Sequence, residues 1–132
     1  MHQFIVGGIY YGISDPEFDF EVEDEEKMKL NKIVQQEKDK FIYEYDFGDG
    51  WDHVILLEKI LPLEKGVEYP ICIDGKMACH PEDCGGIGDY YHLLETLNDL
   101  KHPEHDEMLE WVGEDFDPKE FDIDAINKVL KA

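Results

Sequence analysis

The stretch Phe41-Ile-Tyr-Glu-Tyr-Asp-Phe-Gly-Asp-Gly-Trp-Asp-His-Val-Ile-Leu-Leu-Glu-Lys-Ile-Leu61 decides the fold, because two strand-like runs and a tight turn stand back to back in it. Phe41, Tyr43, Tyr45 and Phe47 alternate with Ile42, Glu44 and Asp46, so a period of two gathers the rings on one face. Gly48-Asp49-Gly50 accepts positive φ at low cost, and the Val, Ile and Leu residues after Trp51 return as the second strand of a β-hairpin over residues 41–61.

Outward from this hairpin the period changes once. Upstream, Gln3 to Val6 and Ile9 to Tyr11 flank Gly7-Gly8 as a smaller hairpin, and Glu17 to Lys29 reads as an acidic loop. Leu30, Ile33 and Val34 suit a short helix, and Tyr69 to Ile73 suits a further strand. From Asp89 onward, Tyr90, Leu93, Leu94 and Leu97 fall at steps of three and four, predicting an amphipathic helix. A second helix is expected to start at His102-Pro103 and end at Gly113, and a third, capped by Asp122 or Asp124, carries Ile123, Ile126, Val129 and Leu130. Strands first and helices last predict an α+β domain over residues 1–132, its antiparallel sheet covered by the C-terminal helices.

The chain has 33 acidic and 12 basic residues, a formal charge of −21, and every base is a lysine. Such a charge repels nucleic acid and anionic membrane and leaves no guanidinium fork for phosphate, so neither is expected as a partner. No apolar run reaches the roughly 18 to 20 residues that cross a bilayer, and Met1 to Val6 lacks the pattern of a secretory signal. A cytoplasmic setting with reduced cysteines is therefore expected.

Cys72, Cys79 and Cys84 carry the most specific local pattern: Cys79-x4-Cys84 has the spacing of a zinc half-site, with Cys72 and His80 as completing ligands. The alternative is that they are buried free thiols and the chain holds no cofactor. Asp46, Asp49, Asp52 and His53 crowd the central turn as a hard-cation or acid–base group, against which stands the ordinary use of Asp to accept backbone N–H groups in turns. His102 and His105 form a second candidate metal pair near Asp106, against a solvated helix face. No phosphate loop, serine elbow or nucleotide fingerprint is present in the sequence, and no catalytic group is complete.

Tyr45-Asp-Phe-Gly-Asp-Gly-Trp-Asp-His53, Tyr69-Pro-x-Cys72, Pro81-Glu-Asp-Cys-Gly-Gly86, Tyr90, His102-Pro-Glu-His105 and Phe116-Asp-Pro118 together resemble the Ri-plasmid open-reading-frame-3-like family over most of the chain. The resemblance implies bacterial and archaeal domains without an established activity, some carrying resolvase-like labels. His80 stands where relatives commonly have proline, so the resemblance does not extend a ligand role to His80. It also implies a further strand and helix upstream of His2, so the chain is expected to be an N-terminally incomplete member. The functional expectation is an acidic module that binds a protein partner. Its alternatives are a zinc-binding module or metal-dependent enzyme using Cys72, Cys79 and Cys84, and a mobile-element DNA transaction that the charge disfavours. An open edge on the N-terminal strand is expected to support a homodimer.

Overall fold

The computed structural model describes residues 1–13 and 22–131. It is an α+β structure that divides into two compact units, Met1–Pro62 and Leu63–Ala132.

The first unit is built on a sheet of β1 (His2–Val6), β2 (Ile9–Gly12), β3 (Glu23–Asp24), β4 (Lys40–Tyr45) and β5 (Trp51–Leu56), in the order β3-β2-β1-β4-β5. All neighbours are antiparallel except β2 and β3. A two-residue turn joins β1 to β2, and it needs glycine twice: Gly7 and Gly8 have φ of 55° and 82°, the left-handed pair that matches strand twist. The alternation read from Phe41 onward sets the register. Tyr43 lies between Phe4 on β1 and His53 on β5, and its ring meets theirs at centroid distances of 5.2 and 5.5 Å. Phe41, opposite Ile55 and tilted against Phe4, is buried. The aromatic face is thus filled first by its own rings across three strands, each such pair adding a few tenths to about 1 kcal/mol.

The central turn is organised by Asp46. At φ of 60°, its Oδ1 accepts the N–H of Gly48 at 3.1 Å and of Asp49 at 3.3 Å, while its carbonyl accepts from Gly50. This is the backbone role that competes with a catalytic one. Asp52 and His53 stand on opposite faces of β5, and His53 Nδ1 is 3.0 Å from the Tyr43 carbonyl.

Four expectations about strands and loops differ from the structure. The second hairpin strand ends at Leu56, short of Leu61, because Lys38 and Asp39 together oppose Leu57, donating to its carbonyl and accepting its N–H, and this bulge, with Lys38 at φ of 75°, ends the pairing. The N-terminal strand is interior, paired with β2 on one side and β4 on the other, so it offers no open edge. Within the region expected as acidic loop, Glu23–Asp24 forms the short parallel strand and Glu25–Lys27 a 3₁₀ turn, fastened where His2 Nε2 lies 2.9 Å from the Glu25 carboxylate; the part before Val22 lies outside the described residues. A one-turn helix, α1, spans Leu30–Ile33, close to the region expected.

The fourth difference lies in the second unit, where Tyr69 to Ile73 forms no strand. Asn127 takes the N–H and the C=O of Cys72 that a ladder would have used. Three helices follow: α2 (Ile87–Asn98), α3 (His105–Val112) and α4 (Ile123–Leu130). The Asp122 side chain caps α4 by accepting the Ala125 N–H at 3.1 Å. The loop before α2 packs on the segment before α4, where Ala78 N–H donates to the Pro118 carbonyl and Gly75 lies beneath the Phe121 ring. Among the described residues, no helix is long and apolar enough to cross a membrane.

Candidate functional site

The second unit carries a groove formed by the facing sides of α2 and α3 and the turn before α2. Its construction begins at Cys84-Gly-Gly86. Gly85 and Gly86 have φ of 100° and 95°, and a Cβ on Gly85 would collide with the Asp89 carboxylate, which folds back over it. This bend starts α2 at Ile87 and sends Asp89, His92, Leu93 and Thr96 along one face at helical spacing.

The link from α2 to α3 is made by side chains taking backbone partners. Thr96, fully buried, donates its hydroxyl to the His92 carbonyl at 2.8 Å, and its own carbonyl accepts from Nδ1 of buried His105 at 3.0 Å. His102 Nδ1 accepts the Glu104 N–H at 3.0 Å, and the His102 carbonyl accepts from His105 N–H. The chain is therefore held in turns through residues 99–104, and α3 starts at His105, not at His102-Pro103. It follows that His102 and His105 are not a pair on one helix face: one closes the turn and the other is buried.

Between the helices lies a cavity of about 680 Å³ lined by five carboxylates, those of Asp83, Asp89, Glu104, Glu107 and Glu110, and by no lysine. Leu93, Met108 and Trp111 supply its apolar wall, and His92 and Cys84 complete the lining. Trp111 is 52% exposed, leaving much of its indole open to solvent. His92 Nε2 lies 3.2 Å from Glu104 Oε2 across the groove, a half-exposed pair whose stabilising effect is small. Clustered carboxylates beside an open indole favour a cation, by Coulomb attraction and by the negative face of the ring.

The sequence-derived candidates are placed as follows. Cys72 belongs to the loop fastened to α4 by Asn127, and its thiol lies 3.4 Å from the Asp74 carbonyl. Cys79 is exposed and Cys84 half-buried, and the His80 ring stands edge-on to Tyr90 at 6.4 Å. Burial, with Cys84 and Cys79 nearby, raises the Tyr90 phenol above its ordinary pKa, so Cys79, His80 and Cys84 share one neighbour in Tyr90. No three of Cys72, Cys79, His80 and Cys84 bring ligand atoms within 4.8 Å of one another. None of the three cysteines is joined in a disulfide among the described residues.

Sequence reading missed the groove acids and Trp111. Their signal was present in the spacing Glu107, Glu110, Trp111 along α3, with Glu104 at its N-cap, and Asp89, His92 along α2, yet it becomes a site only once the two helices face each other.

The motifs that build this unit, Pro81-Glu-Asp-Cys-Gly-Gly86 and His102-Pro-Glu-His105, fall within a match over residues 1–125 to the family described as plasmid pRiA4b ORF-3-like protein. The chain belongs to this family. Two similar proteins agree with that membership. An uncharacterized protein, y4hQ, of Sinorhizobium fredii (strain NBRC 101917 / NGR234) is 35% identical over 98% of this chain and 68% of its own length. The crystal structure of a protein of unknown function from Methanosarcina mazei Go1 is 39% identical, with a TM-score of 0.83, over 94% of this chain and 71% of that one. The pRiA4b ORF-3-like fold is thereby shared, and neither relative's description names an activity.

Proposed function

We propose that this pRiA4b ORF-3-like chain is a protein-binding module whose groove between α2 and α3 receives lysine or arginine side chains of a partner. The observation that carries the reading is the lining: five carboxylates, no lysine, and a half-exposed Trp111 in one cavity. The charge of −21 steers a basic partner toward the protein and keeps nucleic acid away. Aromatic anchors beside a charged rim are the usual centre of a binding surface, and Trp111 fills that position here. Three cysteines outside any disulfide suit the reducing cytoplasm, where we place the module.

The test is a fluorescence titration of a Trp51→Phe variant, which leaves Trp111 as the reporter, with a lysine- and arginine-rich peptide and a glutamate-rich control. Saturable binding of the basic peptide alone, weakening with salt, is expected. The double substitution Glu107→Gln/Glu110→Gln should weaken binding about tenfold, the equivalent of roughly 1.4 kcal/mol. Equal binding of both peptides, or binding that the double substitution leaves unchanged, overturns the reading.

A further inference from the structure

β5 is one of the two edge strands of the sheet, opposite β3, and pairs with β4 alone among the described residues. Leu57 turns both its N–H and its C=O inward to Asp39 and Lys38, so by alternation the backbone groups of Leu56, Val54 and Asp52 point away from the sheet. Native edges are usually blunted by lysine, proline or a bulge within the strand, and Trp51–Leu56 contains none of these, its bulge lying opposite Leu57 beyond the strand end. Val54 is 67% exposed and Leu56 50%, both on the face opposite the aromatic one.

We infer that this edge pairs with the same edge of a second copy, antiparallel about Val54, to join two sheets through a two-fold axis. The charge pattern of the strand favours this occupant. Pairing centred on Val54 sets Val54 against Val54 and Asp52 against Leu56, so the strand's single carboxylate never meets its own copy. On the same face the pairing covers the exposed Val54 and Leu56 side chains, and the partner strand has the matching length and twist by identity. The whole-molecule charge of −21 opposes the approach at long range, and a single strand pair is small beside the roughly 1,200 Å² or more buried by stable complexes. The dimer is therefore weak, and strengthens as salt screens the repulsion.

Sedimentation velocity on the full chain, over a range of concentrations and from low to moderate salt, reads this directly. A dimer fraction that rises with both concentration and salt is expected. Val54→Lys should raise the dissociation constant by at least about tenfold by setting two cations face to face. Val54→Pro removes an outward N–H without touching the β4 ladder and should do the same. Circular dichroism confirms that each variant is folded, and Leu56→Glu, which sets a second carboxylate against Asp52 of the copy, replaces either one that is not. A monomer under every condition overturns the inference, as does a dimer that the folded variants leave unchanged.

Discussion

The side chain of Asn127 on α4 holds both backbone groups of Cys72, accepting its N–H at 2.7 Å and donating to its carbonyl at 2.9 Å. An amide side chain here takes the place of a neighbouring strand, and it fixes the irregular segment before α2 to the last helix of the second unit. Replacing Asn127 by Ala leaves two part-buried backbone groups unpaired and is expected to cost about 1–3 kcal/mol in denaturant unfolding. Asn127→Asp keeps the acceptor and loses the donor, so it should fall between wild type and Asn127→Ala. Amide exchange at Cys72 should accelerate in both variants, and unchanged exchange would show that the bonds do not hold the loop.

Gly75 lies under the ring of Phe121, where an added Cβ would overlap the ring atoms. Gly75→Ala is therefore expected to destabilise the protein by about 1–3 kcal/mol through overpacking. The cost should shrink in a Phe121→Leu background, where the smaller side chain leaves room, and a double-mutant cycle measures that coupling. Additive costs in the cycle would show that the two residues do not press on each other.

Tyr90 ties stability to alkaline pH. Burial first, then Cys84 and Cys79, raise its phenol pKa in the folded chain, whereas the unfolded chain releases the proton at about pH 10. Between these two values the folded state binds more protons, so stability falls as pH rises. The contribution is fully present below about pH 10 and is lost as pH climbs through the raised folded value. In urea melts from pH 9 upward, Tyr90→Phe should show a shallower decline than wild type, and identical declines would exclude Tyr90 as the cause.

Which parts were legible in advance follows the range of the interactions. The ring alternation from Phe41 and the cap of α4 at Asp122 are local patterns, and the structure bears both out. The fate of Tyr69 to Ile73 was not legible, because the competitor for the Cys72 backbone sits 55 residues away. The start of α3 slipped to His105 for a subtler reason: proline at 103 permits a helix start, but His102 Nδ1 captures the Glu104 N–H and holds a turn instead.

By itself the sequence determined the kinds of element and the character of the surface, since periods of two and 3.6, glycine pairs and a charge of −21 act residue by residue or between near neighbours. Tertiary structure alone decided that β1 is interior and β5 an edge strand, and that acids on two helices line one cavity with Trp111. Sheet order and helix facing are set by contacts between residues far apart in the chain, where many arrangements satisfy the same local pattern. Only the packing within each unit, the rings interleaved in the first and buried Thr96 and His105 bonded in the second, selects one of them.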